Sequence, residues 1–186
     1  MATKEDILIT AAKHFANKGY ENTALEEIAK EIGITKPAIY YHFKNKQELY
    51  NEIFKEKFSK LKFQKKETLE ENIKEYIYTL GEFFIQNPYI AKLFAKEITS
   101  EAMHLDIETL KIISKTLKHL TEILKDTNLN PFFIQTMVVS TFTTYANTLK
   151  LREKITGIIK SENLIKDFDI TDEIYRTIIH YIKANK

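Results

Sequence analysis

The 186-residue sequence predicts an all-α protein in which a small three-helix head precedes a larger helical bundle. Three observations support this prediction. Proline and glycine are rare, with three and four residues respectively; apolar residues recur at helical spacing along nearly the whole chain; and signals for helix starts recur throughout. Together they predict about nine helices, at residues 4–18, 24–31, 36–42, 46–64, 69–85, 88–99, 106–125, 131–151 and 172–184.

The predicted helix starts carry side chains that can bind the free N–H groups of a first turn. In several places a hydroxyl or amide side chain is followed three residues later by an acid, as in a capping box. Elsewhere an asparagine precedes a first-turn proline, and the last helix opens on acids. These starts lie at Thr3, Thr23, Asn45 and Thr68, at Asn87 and Asn130, and at Thr171.

The spacing of the helices predicts two domains. The first three helices are short and closely spaced, whereas those after residue 45 are longer. We therefore expect a three-helix head over residues 1–45 and a second domain over 46–186, with helix 46–64 as the connecting helix.

Composition excludes several classes of function. Without cysteine the chain has no thiol nucleophile, disulfide or cysteine-ligated metal, and its four scattered glycines cannot build a phosphate-binding loop. The five histidines form no i, i+4 pair of the kind that binds zinc on a helix. We expect no metal, no cofactor and no enzymatic activity; catalytic residues that converge from distant helices are the alternative.

Hydropathy does not indicate a membrane protein. The N-terminal residues carry acids where a signal peptide has its apolar core. The segment 127–149 lacks charge, but its threonine and asparagine side chains are too polar for bilayer hydrocarbon. We expect a cytoplasmic protein, and its formal net charge of +2 implies that any basic surface is local.

The predicted helix 131–151 has no charged side chain before Lys150. A helix without a charged face is buried on most of its sides, either as the central helix of a monomeric bundle or beneath a second subunit. For the second case, the predicted dimer interface comprises Met137, Ser140 and Thr144 with Ile174, Ile178, Tyr181 and Ile182 of the last helix.

The segment 25–43 meets the requirements of a helix-turn-helix, in which two short helices cross steeply. Ala29 offers a small side chain at the crossing, and Gly33, four positions later, tolerates a positive φ in the turn. Thr35 is placed to cap the second helix. The side chains predicted to pack the motif are Ile28, Ile32, Ile34, Ile39 and Phe43. An ordinary αα-hairpin is the alternative.

The residues that follow the turn are suited to contact DNA. Residues 32–47 contain no acid, whereas lysine, histidine and tyrosine are frequent there. Tyr40 and Tyr41 are adjacent in one helix and point in different directions, so they cannot both face the protein core. Hydroxyl and amine groups donate hydrogen bonds to phosphate oxygens. The pattern predicts a focused patch whose DNA affinity falls with salt.

These residues resemble the N-terminal signature of the TetR family of bacterial transcriptional regulators. The resemblance covers residues 3–54 and rests on Ile28-Ala29, Gly33-Ile34-Thr35-Lys36, Ile39-Tyr40-Tyr41-His42-Phe43 and Asn45-Lys46. It implies a repressor that binds a palindromic operator in double-stranded DNA as a homodimer. It also implies that a small-molecule effector, bound within the ligand-binding and dimerisation domain 46–186, releases the DNA. A TetR-like protein without an inducer, acting through protein partners, is the alternative.

Carried over by position, the resemblance implies two groups of DNA contacts. The first would face bases or the adjacent backbone, and the second would bind phosphates. Pro37 stands where the family most often has glycine; it either reads a thymine methyl group or only stiffens the helix start. The first group is Thr35, Lys36, Pro37, Ala38 and Tyr41; the second is Thr23, Tyr40, His42 and Lys46.

The family binds its effector inside the bundle, where this chain has many aromatic side chains and polar ones such as Glu97 and His104. A mainly apolar pocket with a few polar groups suits a small molecule, and the lack of arginine on the inner faces favours an apolar effector. The predicted lining is Tyr76, Phe84, Phe94, Met103, Leu117, Met137, Thr141 and Tyr145, each of which is otherwise a core residue.

Overall fold

The computed structural model describes residues 3–159 and 168–185, and this part of the chain is helical without β-strands. The predicted all-α class is therefore confirmed. None of the helices described is long and apolar enough to cross a membrane. The described residues form eleven helices: α1 Lys4–Lys18, α2 Leu25–Glu31, α3 Lys36–His42, α4 Lys46–Phe58, α5 Leu69–Gln86, α6 Pro88–Thr99, α7 Ile107–Ile113, α8 Lys115–Leu124, α9 Pro131–Asn147, α10 Leu149–Ile159 and α11 Ile170–Ala184.

Four of the eight predicted caps are present. Thr3 and Thr68 form complete capping boxes, and the Asn45 and Asn130 side chains accept hydrogen bonds from the first turns of their helices. An N-cap of this kind contributes about 1 kcal/mol to helix stability.

Four predicted caps are wrong, and one of them is Thr35, whose side chain makes no capping hydrogen bond to α3. Ala24 precedes α2 without a side-chain cap, because the Thr23 hydroxyl donates to the Gly19 carbonyl instead. The Asn87 amide donates back to the carbonyl of Phe83 at the end of α5. In the last helix Asp169 is the cap and accepts from the N–H groups of residues 171 and 172, so the helix begins before Thr171.

Helix α4 ends at Phe58, six residues before the predicted end at residue 64. Residues 61–66 have no regular secondary structure, and side chains of α5 bind two of their backbone N–H groups. Gln64 N–H donates to the Glu75 carboxylate at 2.8 Å, and Lys66 N–H donates to Asn72 Oδ1 at 2.9 Å. These side chains replace the carbonyl partners that a continued helix would have supplied.

The other long predicted helices are divided. Residues 106–125 form α7 and α8, which meet at Ser114, whose hydroxyl donates to the Lys111 carbonyl at 3.0 Å. Ser114 N–H still makes a helical hydrogen bond to Leu110 O. The predicted helix 131–151 ends at Asn147, and the separate α10 after it was not predicted.

The chain divides into two compact units, each with its own core. The first comprises residues 1–61 and 92–114, and the second comprises residues 62–91 and 115–186. This grouping places α4 and α7 with the head, whereas the predicted boundary lies after residue 45. The division into functional domains at that position stays a prediction.

The core of the first unit is formed by α1 to α4 together with α7. Ile28, Ile39 and Phe43 of the head are completely or almost completely buried, next to Phe15 and Phe54. Burial of such a side chain stabilises the fold by about 1.5–3 kcal/mol. The head therefore has a closed apolar interior, and its polar side chains are left on the outside.

In the second unit α5 packs against α8, α9 and α11. At Gly81 the helix α5 leaves no room for a side chain. A methyl group on its Cα would lie 2.7 Å from a ring carbon of Phe142 and 2.9 Å from the Thr171 hydroxyl. Glycine is thus required here by space and not by backbone conformation. The buried faces of α9 and α11 contribute Val138, Phe142 and Ile178 to this core.

Candidate nucleic-acid interface

The turn between α2 and α3 has the predicted geometry. Gly33 adopts a φ of +70°, where a side chain on an L-residue crowds the backbone. Its N–H donates to Lys30 O, and Ile34 N–H donates to Ala29 O at 2.9 Å. Ala29 is buried at the crossing. The prediction for both positions is confirmed, so this turn sets the direction in which α3 leaves α2.

Packing then fixes which side of α3 faces outward. Ile39 is its buried residue, while Ile32 and Ile34, in the turn, are half-buried. Tyr41 is 86% exposed and Tyr40 is 45% exposed. Large aromatic side chains that are left in solvent on a short helix indicate a contact surface. We call the exposed side chains of Thr35 to His42, with Lys44 and Lys46, the α3 face.

The other predicted base contacts lie on the same face. Thr35 and Pro37 are exposed, Ala38 is half-buried, and His42 is exposed with its ring edge-to-face to Tyr41 at 5.1 Å. The Thr35 side chain makes no capping hydrogen bond, so the predicted cap at this position is wrong. Its hydroxyl is consequently available to another acceptor.

Two lysines of the face are held by neighbouring groups. The Lys36 ammonium donates to Glu26 Oε1 at 2.6 Å and lies 5.7 Å from the centre of the Tyr40 ring. Its hydrogen bond with Glu26 raises the pKa of Lys36 and lowers the pKa of Glu26. The Lys46 ammonium donates to the Glu21 carbonyl at 3.2 Å and lies over the Tyr20 ring at 4.6 Å.

Thr23 is the exception among the predicted contacts. Its side chain is 2% exposed, and its hydroxyl donates to Gly19 O at 2.7 Å. The hydroxyl cannot reach a phosphate without breaking that bond and leaving the carbonyl unpaired. Thr23 is therefore not part of the candidate interface.

A buried polar cluster behind Lys46 was not predicted. The Tyr20 ring lies 4.4 Å from the ring of His104 and 5.1 Å from that of Tyr50. Tyr50 donates its hydroxyl hydrogen to the buried carboxylate of Glu97 at 2.7 Å, and His104 Nδ1 lies 2.9 Å from the same carboxylate. Burial raises the pKa of Tyr50, so its hydroxyl stays protonated and donates. The cluster supports the ring on which Lys46 rests.

The residues predicted to line an effector pocket belong to both units. Phe94 and Met103 belong to the first unit and the remainder to the second. Tyr76 and Phe84 are closed core residues, and Met103 is 73% exposed. Tyr76 and Phe84 therefore have almost no free surface for a ligand, and a pocket lined by the whole set stays a prediction.

Two smaller clefts contain some of the predicted lining. Met137 and Thr141 line a cleft of about 220 Å³ with residues of α11. Thr141 and Tyr145 line a second one of about 370 Å³, beside Arg152. Leu117 lines neither of these clefts.

A larger cleft of about 790 Å³ opens elsewhere in the second unit. Its lining includes three lysines, Lys65, Lys66 and Lys125, and three acids, Glu67, Glu122 and Asp126, with His119 in its wall. Its charges are balanced, and Lys125 is already paired with Glu122 at 2.7 Å. Burial lowers the pKa of His119, whose buried Nε2 has no hydrogen-bond partner among the residues that the structure describes.

The predicted dimer residues separate into two sets. Met137 and Tyr181 are half-buried, and Ser140 and Thr144 are exposed. By contrast, three residues of α11 are buried inside the second unit and have almost no surface left to bury against a partner: Ile174, Ile178 and Ile182. The predicted dimer interface is therefore corrected for these three residues.

Comparisons with known proteins agree with the geometry of the head. The model of the family described as "Bacterial regulatory proteins, tetR family" matches residues 7–53. The HTH-type transcriptional regulator AcrR of Shigella flexneri is 46% identical over 52 residues, which are 28% of this chain and 24% of that protein. IcaR of Staphylococcus epidermidis, a negative transcriptional regulator of a biofilm operon, is 43% identical over 47 residues, 25% of each chain.

These matches span about a quarter of the relatives' length. The likeness of the whole chain is one of fold. A solved bacterial regulatory protein of the tetR family from Rhodococcus RHA1 has a TM-score of 0.74, with 17% identity and 96% of each chain covered.

Proposed function

Because the chain belongs to the TetR family of bacterial regulatory proteins, we propose that it is a transcriptional repressor that binds a palindromic operator through α3. The observation that carries this proposal is the α3 face: it is formed by a segment without acidic residues, 32–47, and Tyr41 on it is 86% exposed. Membership of a family of regulators also supports the expectation that the chain is not an enzyme.

In the proposed complex α3 enters the major groove, where base edges are distinguishable. Tyr41, Thr35 and Lys36 offer hydrogen-bond donors, and Pro37 and Ala38 offer apolar contact to a thymine methyl group. The phosphate contacts lie at the rim and are made by Tyr40, His42 and Lys46. Such contacts position the head without reading sequence.

A homodimer would place two heads on the two half-sites of a palindrome. The exposed side of α9 supports this part of the proposal. Phe132, Thr136, Ser140 and Thr144 follow one another at i+4 spacing and are all exposed, and Phe132 is 68% exposed. The whole helix is uncharged, as interface cores tend to be.

The effector is proposed to be a small, mainly apolar molecule that binds the second unit. The clefts beside Met137, Thr141 and Tyr145 have mainly apolar and hydroxyl-bearing walls, and each has one charged side chain, Glu173 in the first and Arg152 in the second. The alternative, regulation through a protein partner, is favoured by the closed packing of Tyr76 and Phe84. The two differ in whether a small molecule releases the DNA.

The test is selection of genomic DNA fragments by the purified protein at about 150 mM salt. Tyr41→Ala is run in parallel, with Tyr89→Ala as the matched control, because Tyr89 is an exposed tyrosine of the second unit. We expect a palindrome to be enriched by the wild type and the control but not by Tyr41→Ala. Equal enrichment by all three proteins would remove the α3 face from the interface.

Lys46→Ala tests the phosphate contacts. Loss of one contact should reduce the slope of log affinity against log salt by about 0.9. Lys118→Ala, which removes an exposed lysine of the second unit, is the control. A slope that is unchanged in Lys46→Ala would contradict the phosphate role.

A further inference from the structure

The α3 face contains an ion pair whose acid comes from another helix. Glu26 lies in the first turn of α2, and its carboxylate binds the ammonium of Lys36, the first residue of α3, at 2.6 Å. Of the lysines in the acid-free segment 32–47, Lys36 alone has a carboxylate partner within the part of the chain that the structure describes. One cation of the proposed DNA-binding surface is therefore neutralised in the free protein.

Both members of the pair are accessible to a ligand. The Lys36 side chain is 39% exposed and that of Glu26 is 62% exposed. An exposed ion pair of this kind contributes little to folding stability, because water screens the two charges. Its effect on a nearby polyanion is larger, because each phosphate that approaches Lys36 also meets the charge of Glu26.

The ion pair with Glu26 affects the two ways in which Lys36 can bind DNA differently. Attraction to phosphates depends on net charge, which Glu26 cancels. Hydrogen bonding to a base edge depends on direction, and a lysine ammonium has three donors of which Glu26 uses one. The remaining donors can bind acceptors such as guanine O6 and N7. The Tyr40 ring, at 5.7 Å, further restricts where Lys36 points.

We propose that Glu26 is a specificity-determining residue, which holds Lys36 as a directed base contact and suppresses its sequence-independent attraction to phosphates. This inference rests on the proposed function, since it requires that the α3 face binds DNA. It concerns the discrimination between operator and other sequences and not the ability to bind DNA at all.

The experiment compares Glu26→Gln with wild type on two duplexes of equal length: the palindrome enriched by selection and a shuffled sequence. Loss of the carboxylate frees Lys36 for phosphates. Affinity for the shuffled duplex should rise about threefold to tenfold, and its salt slope should steepen by about 0.9. Affinity for the palindrome should rise less, so the ratio of the two affinities should fall.

Glu27→Gln is the matched control. Glu27 is the next residue of α2 and pairs with Lys18 at 2.7 Å, away from the lysines of the α3 face. Its substitution removes the same charge without freeing one of those lysines, so the affinity ratio should stay near that of wild type. Equal behaviour of the two variants would overturn the proposal, because the effect would then be one of net charge.

A double substitution tests the dependence on Lys36. Lys36→Met alone should weaken binding to the palindrome and leave the salt slope on shuffled DNA unchanged. In Lys36→Met the further change of Glu26 to Gln should no longer steepen that slope. A steeper slope in the double variant, or an unchanged ratio in Glu26→Gln, would refute the role of Glu26. Failure of the wild type to enrich any sequence would instead refute the proposed function, and this is visible before either glutamate is changed.

Discussion

Two glycines of this chain allow the effect of backbone strain on stability to be measured without the effect of steric clashes. A methyl group added at Gly33 or at Gly157 would meet nothing within 4 Å. Gly33 has a φ of +70°, whereas Gly157 lies within the helix α10. Substitution by alanine is therefore sterically free at both positions, and only the backbone conformation differs.

The expected effects have opposite signs. Left-handed backbone costs an L-residue about 1–2 kcal/mol relative to glycine, so Gly33→Ala should lower the free energy of unfolding by that amount. Alanine in a helix is favoured over glycine by about 1 kcal/mol, so Gly157→Ala should raise it. For a chain of this size each kcal/mol corresponds to a shift in Tm of about 2–4 °C.

Urea titration followed by far-ultraviolet circular dichroism measures both changes, and amide hydrogen exchange should place the loss in Gly33→Ala within the head. Gly33→Val should be worse, because a β-branched residue tolerates positive φ poorly. Gly33→Asn should be milder, since asparagine adopts this conformation more readily. The reasoning fails if Gly33→Ala is as stable as wild type or if Gly33→Asn is no better than Gly33→Val.

Three further predictions concern the second unit. Met137→Glu should leave helical content intact but shift the protein towards monomer in analytical ultracentrifugation. Ile178→Glu should instead unfold the second unit, because that side chain is 0% exposed. A folded dimer of Ile178→Glu would contradict this expectation. Gly81→Ala should cost about 1–3 kcal/mol in the same urea titration, because its methyl group would lie 2.7 Å from Phe142. Burial lowers the pKa of His119 from 6.5, so the unfolded chain takes up its proton first and stability should fall with acid below about pH 6.5. His119→Gln should reduce the loss of Tm between pH 7 and 5.5, and an unchanged loss would exclude this histidine as its source.

The head was predictable from sequence because its requirements are local. Ala29 and Gly33 lie four residues apart, and the backbone bond from Ile34 N–H to Ala29 O joins residues of the same short segment. Residue type therefore determines the geometry with little help from distant parts of the chain. Thr23 shows the limit: its hydroxyl suits a cap or a phosphate equally well, and the choice of Gly19 O depends on how the preceding loop folds.

The bundle was less predictable because an apolar stripe does not reveal what covers it. Ile174, Ile178 and Ile182 lie on one stripe of α11, and a second subunit or the chain's own α5 could cover them equally well. The structure assigns them to the core of the second unit, while Tyr181 remains half-buried against Phe133 at 5.6 Å. Hydropathy gives the period of such a stripe but not its partner.

The role of Glu97 cannot be read from the sequence, but its hydrogen bonds in the structure identify it. An acid among aromatic residues can bind a ligand or belong to an internal network. Here Oε1 accepts the Tyr50 hydroxyl and lies within hydrogen-bond distance of His104 Nδ1, and Oε2 accepts the His104 N–H at 3.2 Å. A buried carboxylate with these partners has little capacity left for a ligand. Its role is to fix Tyr50 and His104 against Tyr20, and thereby to fix the ring beneath Lys46. A residue far in sequence from the head thus helps to place one of its proposed phosphate contacts.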